Sequence, residues 1–284
     1  MSITARNLRL GPANVYLYAK PQATGVATGA ANSQFRFVAK QGGAAGNSIS
    51  VEYLTPAGTD TLVSVTGTEI VVTPKTGATG ADVLAALRAN SAAMGLILPT
   101  LNAGNDGTGT VAVMAAVTLT GGSDTGVATD VGALGEGLQV VIATETSPLT
   151  AAQSGNLSQD EVVSGGRFEI TVPFKEITMQ NLERAIPGAY ISSNGDDPPV
   201  RTLEFYVSVG ASMRARATRL EIRPLIGGNE TADPEEILVV YEASPSGSEV
   251  TLAYHPTDQR EIAATFRGWP SSTGLFGAYG SQQF

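Results

Sequence analysis

The chain has 284 residues, a formal net charge of −9 and no cysteine, so disulfides, thiol catalysis and cysteine-ligated metals are excluded. Glycine is frequent and only 15% of the residues are charged, a composition that favours many short strands joined by turns and therefore a mainly β fold. The acidic balance argues against a surface that binds nucleic-acid phosphates. No segment has the length of a membrane-spanning helix or the pattern of a signal peptide, so we expect a soluble protein without membrane insertion.

A repeated pentapeptide predicts the domain organisation. Thr-Gly-Val-Ala-Thr occurs at Thr24–Thr28 and again at Thr125–Thr129. The segment between the copies is nearly neutral, whereas the rest of the chain carries most of the negative charge. We therefore predict an inserted domain over residues 24–123 and a host domain formed by residues 1–23 and 124–284.

The segment predicted to be inserted has short β-rich runs and one helix. Gly67 separates two of these runs, which predicts a tight hairpin. A helix is expected over Gly80–Met94, because Thr79 suits an N-cap and Asp82 in the first turn complements the helix dipole. This combination predicts a small α+β domain.

The stretch Asp160–Tyr190 is the most informative part of the host domain. Its strand carries apolar residues at alternate positions, which is typical of a half-buried strand. These residues are Phe168, Ile170, Val172 and Phe174. Thr178 then predicts the start of a short helix, which ends before Pro187-Gly188.

Later segments of the host domain also alternate between apolar and polar residues. On one strand the alternation predicts four inward-facing residues, namely Leu203, Phe205, Val207 and Val209. On the next strand, Leu220 and Ile222 are expected to be buried, with Arg219, Glu221 and Arg223 on the polar face. Successive strands of this kind are typical of a β-sandwich or barrel.

Three pieces of the host domain form a recognisable series. They are RNLRLGPANVYLY (Arg6–Tyr18), QDEVVSGGRFEITVPFKEITMQNLERAIPG (Gln159–Gly188) and HPTDQREIAATFRGWPSSTGLFGAYG (His255–Gly280). Together and in this order, they resemble the major tail tube proteins of bacteriophages. The inserted segment resembles a small module that recurs in phage virion proteins, through AKQGGAAGNSISVEY, VTGTEIVV and the closing LTGG. None of these pieces is a catalytic signature.

The resemblance implies a structural virion protein, not an enzyme, and no cofactor or metal. Its fold would be an antiparallel β-sandwich or barrel with one bracing helix, plus the inserted α+β domain. Copies would self-assemble into stacked hexameric rings that form the phage tail tube, a conduit for DNA ejection. Partners would be the chain itself and sheath, tail terminator, baseplate or tape measure proteins, while double-stranded DNA passes through without specific binding. The protein would assemble in the host bacterial cytoplasm and reside in the virion tail.

The resemblance also implies three groups of contact residues. A ring-stacking loop is expected over Thr146–Ser164, with these candidates: Thr146, Leu149, Gln153, Asn156, Gln159, Asp160 and Glu161. An N-terminal arm, Ser2–Pro12, would contribute Arg6 and Arg9. An acidic lumen would repel DNA phosphates, and its candidate carboxylates are Glu169, Glu204, Glu221 and Glu249.

Two other classes of function compete with this interpretation. A carbohydrate-binding β-sandwich adhesin of the virion would explain the strands and the insert, although such a site usually shows more aromatic residues than Trp269 and a few tyrosines. A hydrolase would need a set of converging acids and bases. His255 lies in a proline-containing turn without a G-x-S-x-G motif, and Glu145, Asp160 and Glu161 fit a contact loop better than a glycosidase pair.

Two glycine-rich segments could suggest ligand sites. Asn102–Gly109 lacks the ligand spacing of a calcium-binding EF-hand loop and predicts a turn. Gly132–Gly137 precedes a strand-like run and not a helix, so the geometry of a dinucleotide loop is not expected.

Overall fold

The computed structural model describes residues 12–150, 158–193, 200–207, 210, 212–246 and 261–280. The chain is mainly β, with 50% strand and 14% helix, and most of its strand pairs are antiparallel. The predicted fold class is therefore confirmed. None of the helices in the described ranges is long and apolar enough to cross a membrane.

Strands account for most of the secondary structure in the described ranges. In chain order they are β1 (Ala13–Ala19), β2 (Gln22–Ala27), β3 (Phe35–Gly42), β4 (Ser50–Tyr53), β5 (Leu62–Thr66), β6 (Glu69–Thr73), β7 (Ile97–Leu101), β8 (Met114–Thr118), β9 (Val127–Asp130), β10 (Gln139–Thr150), β11 (Ser158–Phe174), β12 (Ala189–Ser193), β13 (Arg201–Phe205), β14 (Thr218–Ile226), β15 (Asn229–Glu230), β16 (Leu238–Pro245), β17 (Ile262–Gly268) and β18 (Gly277–Tyr279). The helices are α1 (Gly80–Ala89), α2 (Ser91–Leu96) and α3 (Met179–Ala185). Short 3₁₀ helices lie at Ala44–Ser48, Arg214–Arg216 and Pro234–Glu236.

The chain divides into two compact units. The first, called the sheet unit, comprises residues 1–18, 128–187 and 211–284, and the second, called the insert unit, comprises residues 19–127 and 188–210. The predicted boundaries at 24 and 123 lie a few residues inside the observed ones. The segment 188–210, however, was assigned to the host domain, and its contacts place it with the insert unit.

The described residues of the sheet unit form a nine-stranded sheet in the order β10-β11-β17-β16-β14-β1-β9, with β15 beside β14 and β18 beside β16. Alternate residues of the central strands point into one hydrophobic cluster, which includes Val15, Ile170, Phe174, Leu220 and Phe266. The period-two pattern of the sequence therefore predicts correctly which side of these strands is buried.

Helix α3 covers the hydrophobic face of this sheet. Its N-cap is Thr178, whose hydroxyl accepts a hydrogen bond from the Asn181 amide, as predicted. Ala185 is buried in the cluster, and Leu182 packs against it. Gly188, at φ 84°, lies beyond the end of the helix in the left-handed region that favours glycine.

The insert unit has its own core and, among its described residues, three sheets. Strands β2-β3-β7 form one sheet, β5-β6-β4-β8 form a second, and β12-β13 form a third. The predicted hairpin at Gly67 is confirmed, since Thr66 pairs with Glu69 and Gly67 has a φ of 61°. The main core of the unit includes Phe35, Phe37 and Leu87, all fully buried.

The single helix expected over Gly80–Met94 is two helices. Thr79 and Asp82 form the reciprocal capping box that begins α1, so the predicted start is confirmed. At Asn90 the backbone is extended, and the Asn90 side chain accepts hydrogen bonds from the Ala92 and Ala93 amides to begin α2. The prediction was wrong here because an asparagine that caps a new helix also interrupts the old one.

The inward-facing side of the strand near Leu203 was also predicted wrongly. Phe205 and Val207 are 63% and 96% exposed, whereas Tyr206 packs into a small cluster with Val38 and Tyr190. Tyrosine supplies a large apolar ring as well as a hydroxyl, so the face that reads as polar is the buried one. Val209 lies outside the described residues.

Candidate functional site

Strands β10 and β11 continue beyond the nine-stranded sheet as a two-stranded arm, which we define as Ala143–Thr150 with Ser158–Arg167. Pairing of β11 with β17 begins at Glu169, but pairing with β10 continues to Thr150↔Ser158. The expected loop over Thr146–Ser164 is therefore largely strand in the described residues. A bulge at Ser164 interrupts the ladder, where Glu145 pairs with Gly165 and Thr146 with Val163.

Apolar side chains are exposed on the arm and beside it. Ile142 and Val163 are 70% and 66% exposed, and Leu149 and Val162 are also largely exposed. The described residues of the sheet unit place no third strand beside the arm. Because an isolated two-stranded hairpin is at best marginally stable in water, these side chains form a candidate surface for association with another molecule.

The predicted stacking residues fall on this arm where the structure describes them. Thr146 is exposed on β10, and its hydroxyl lies 3.3 Å from a Glu161 carboxylate oxygen. Leu149 pairs in register with Asp160. Gln159 lies in β11, while Gln153 and Asn156 lie outside the described residues, as do Arg6 and Arg9 of the N-terminal arm.

The arm continues an edge of the sheet. Strand β10 stands at one end of the strand order and β9 at the other. The outer edge of β10 therefore offers backbone N–H and C=O groups to which none of the described strands is bonded. Such an edge favours pairing with another strand.

Glu221, a predicted lumen carboxylate, is buried between two arginines. Its side chain is 4% exposed, 2.5 Å from Arg219 and 2.8 Å from Arg223. Burial alone would raise the pKa of Glu221, but the hydrogen bonds from Arg223 and Tyr18 and the charge of Arg219 hold it below its usual value. Glu221 is therefore an ionised partner of these arginines and not a free carboxylate facing solvent.

The other predicted lumen carboxylates also differ from a simple acidic wall. Glu169 is half-buried, 3.7 Å from Arg167, and pairs in register with Arg267. Glu204 belongs to the insert unit, where it accepts a hydrogen bond from Ser192 at 3.0 Å and lies 3.6 Å from Arg88. Glu249 lies outside the described residues. The described candidates thus lie beside arginines and belong to different units.

Aromatic residues, which the sequence did not predict here, contact the two arginines beside Glu221. The guanidinium of Arg223 lies 4.5 Å from the ring centre of Tyr16, and that of Arg219 lies 5.2 Å from Tyr18. Tyr16 donates a hydrogen bond to Glu230, which raises the pKa of Tyr16 and lowers that of Glu230. The alternation of Val-Tyr-Leu-Tyr at the start of the host domain was the available sequence signal.

A cleft of about 760 Å³ lies beside the glycine-rich segment of the sheet unit. Its lining includes the acidic residues Asp130, Glu136 and Glu176. Glu176 accepts a hydrogen bond from the Ala133 amide, and the segment leads into β10. The strand after the glycines confirms the predicted run, and it is not the helix N-terminus that would favour a phosphate.

The predicted turn at Asn102–Gly109 is stabilised by its own side chains. Asp106 accepts hydrogen bonds from the amide and the hydroxyl of Thr108, which lower the pKa of Asp106. Over the ranges that the structure describes, no group of three or more histidine, aspartate or glutamate side chains is placed to hold a metal ion. His255 lies outside those ranges.

Comparison of the chain with protein-family models gives no match, and comparison with curated proteins gives none either. The relationship to tail tube proteins therefore stays a prediction that rests on the three sequence pieces.

Proposed function

We propose that this chain is a structural subunit of a bacteriophage tail tube, which self-assembles into stacked hexameric rings that conduct DNA. The proposal combines the resemblance of the three sequence pieces with the β10–β11 arm. The arm is the single observation that carries it, because its exposed strands need a partner that the described sheet unit does not supply.

The strand order supports ring formation. A sheet whose first and last strands, β10 and β9, both lie at edges can join a copy at each side. Contacts between two different edges are heterologous, and repetition of such contacts gives a ring when the rotation closes. A closed ring leaves no edge strand exposed.

The arm supports stacking of rings. It extends beyond the strands that would form the ring, and its exposed Leu149, Val162 and Val163 can be buried against a neighbouring ring. Burial of apolar surface favours association, although loss of motion offsets part of the gain. The same small contact, repeated around a ring, adds up to a stable stack.

The first test is negative-stain electron microscopy of the purified protein across a concentration series. The proposal predicts hollow rings or tubes with six-fold end views, in amounts that increase with concentration. A protein that remains monomeric at the highest concentration reached contradicts the proposal. Binding to a glycan array by such a monomer would favour the adhesin instead.

A matched pair of variants tests whether edge strand β10 takes part in assembly. Ile142→Glu places a charge on β10 beside the arm. Leu62→Glu places one at a similarly exposed position of the insert unit, where Leu62 is 65% exposed. We expect Ile142→Glu to abolish tubes because a buried unpaired carboxylate is costly. Leu62→Glu should assemble normally, and equal behaviour of the two variants would contradict this role of β10.

A further inference from the structure

The two faces of the nine-stranded sheet differ in what covers them. One face carries the hydrophobic cluster and is packed against α3. The opposite face carries arginine, glutamate and tyrosine side chains on β1, β11, β14 and β17. Helix α3 covers the face that carries the hydrophobic cluster. If the sheet forms the wall of a tube, the opposite, charged face would therefore line the lumen.

The arginines of the charged face are held by partners. Arg219 and Arg223 both contact Glu221, at 2.5 and 2.8 Å. Arg223 also lies 3.4 Å from Glu230 and stacks against Tyr16. These contacts neutralise the guanidinium groups at one end of the face.

The arginines of β11 and β17, on the other side of β16, also have partners. Arg167 lies 3.7 Å from Glu169, and Arg267 pairs in register with Glu169 and lies 5.1 Å from the ring centre of Trp269. On the described part of this face, four arginines (Arg167, Arg219, Arg223 and Arg267) thus lie beside three glutamates (Glu169, Glu221 and Glu230) and Asp130, whose charge acts on Tyr16. A surface of this kind has neither free cations that would bind phosphate nor a strong negative potential that would repel it.

We propose that this face lines the DNA conduit as a charge-balanced wall, in which arginines are held by glutamates and aromatic rings, in place of the acidic wall expected from the resemblance. The inference rests on the proposed tail tube function. The ligand it faces is duplex DNA in transit, whose phosphates meet guanidinium groups that already have partners. Low friction then comes from mutual neutralisation of the wall charges and not from repulsion.

The absence of cysteine allows a direct test by single-cysteine labelling of assembled tubes. Ala263→Cys lies on the charged face of β17, and Gln180→Cys lies on α3, and both positions are exposed. In tubes, a small maleimide should label both positions, whereas a bulky polyethylene-glycol maleimide should label Gln180→Cys only. In unassembled protein the bulky reagent should label both.

The outcomes separate the two proposals. Tubes in which the bulky reagent labels Ala263→Cys as fast as Gln180→Cys overturn the placement of the face, while the tube function stands. Failure of the wild-type chain to form tubes overturns the proposed function itself. Thr171→Cys, on the same face of β11, gives a second reporter if Ala263→Cys does not assemble.

The charge of the wall is tested at the same cysteine with positively and negatively charged thiosulfonate reagents. A balanced wall predicts that the ratio of the two reaction rates at Ala263→Cys in tubes equals the ratio at Gln180→Cys. An acidic lumen would favour the cation by roughly tenfold or more, since such potentials reach several kT, and that result would overturn the inference.

Glu221→Gln tests whether the glutamates neutralise the arginines of the wall, since it removes the negative charge shared by Arg219 and Arg223. Tubes of this variant should retain short duplex DNA in a salt-dependent way. Tubes with the control change Glu52→Gln, on β4 of the insert unit, should not. Equal DNA retention by both variants would overturn the inference.

Discussion

Two β-hairpins of this chain differ in what covers them. The β12–β13 hairpin lies in the insert unit, and its Tyr190 and Tyr206 pack against Val38, Met94 and Leu98. The β10–β11 arm of the sheet unit exposes apolar side chains on both of its strands. Both consist of two strands, which is too few for independent stability in water. One hairpin finds its partner within the chain, whereas the described residues place none beside the other, for which we propose a partner in another molecule.

The covered hairpin also shows how a charge is accommodated at such a contact. The Lys40 amine is buried, 4.9 Å from the ring centre of Tyr190 and 4.7 Å from that of Tyr206, and it donates a hydrogen bond to the Met94 carbonyl at 3.0 Å. Aromatic faces stabilise a cation that has lost water. The arm has no comparable cluster among its described residues, and its apolar side chains are exposed in the single chain.

The largest expected effect comes from removing the arm. Replacement of Thr146–Ser164 by Asn-Gly joins the paired residues Glu145 and Gly165 by a two-residue turn. We expect rings and tubes to disappear under electron microscopy, because the exposed contacts are lost. The melting temperature should change by less than about 4 °C, since the arm buries little in the single chain.

The matched control shortens the covered hairpin. Residues 194–200, between the paired Ser193 and Arg201, are replaced by the same Asn-Gly turn. This change leaves the buried tyrosines in place and should preserve assembly. Loss of tubes in the control, or their persistence without the arm, would remove the distinction between the two hairpins.

The next largest effect is a loss of stability when the buried side of the β12–β13 hairpin is changed. Tyr190 is 8% exposed and packs edge-to-face with Tyr206 at 5.9 Å between ring centres. Tyr190→Ala should lower the unfolding free energy of the insert unit by about 3–5 kcal/mol, while Phe205→Ala on the exposed side should change it by less than about 0.5 kcal/mol. Urea unfolding, followed through the methyl NMR signals of Leu98, measures both.

If Phe205→Ala were the more destabilising, the side of the strand predicted from the sequence, and not the side of Tyr206, would be the buried one in solution. The sequence assigned Phe205 and Val207 to the buried side because period-two alternation reports apolarity and not contact. It did predict the strands around Phe168 and the capped helix after Thr178, where pattern and burial agree. Those features depend on neighbours in the sequence.

The features that the sequence did not predict depend on partners far away in the chain. Lys40 lies between tyrosines at 190 and 206. Glu221 pairs in register with Tyr16 of β1 and accepts a hydrogen bond from Tyr18 of the same strand. A glutamate in an alternating strand carries the same pattern whether its charge is free or paired. The register of the strands is needed to distinguish these cases.

A smaller effect is expected at the buried amine. Lys40→Met keeps the length of the side chain but removes its charge and the hydrogen bond to Met94. The unfolding free energy of the insert unit should fall by about 1–2 kcal/mol. A variant as stable as the wild type would mean that the cost of burying the amine equals the benefit of its contacts with the rings.

The smallest expected effect is a loss of stability at alkaline pH that is confined to the insert unit. Burial and the hydrogen bond to Glu204 raise the pKa of Tyr206 above its usual value near 10. Below pH 10 the hydroxyl is protonated in the folded and unfolded states, so its contribution is complete. Above pH 10 the unfolded state loses the proton first, and stability falls by at most about 1.4 kcal/mol per pH unit from this group.

Tyr206→Phe should therefore flatten the decline in stability of the insert unit between pH 10 and the raised pKa of Tyr206. Tyr16→Phe, in the sheet unit, serves as the control and should leave the decline measured through Leu98 unchanged. An equal slope in wild type and Tyr206→Phe would mean that other groups govern the alkaline response. The described residues of the arm include no tyrosine, so assembly through the arm should not share this pH dependence. Tube formation and insert-unit stability should therefore respond differently to alkaline pH. Such a difference would distinguish a contact made within the chain from one made between chains.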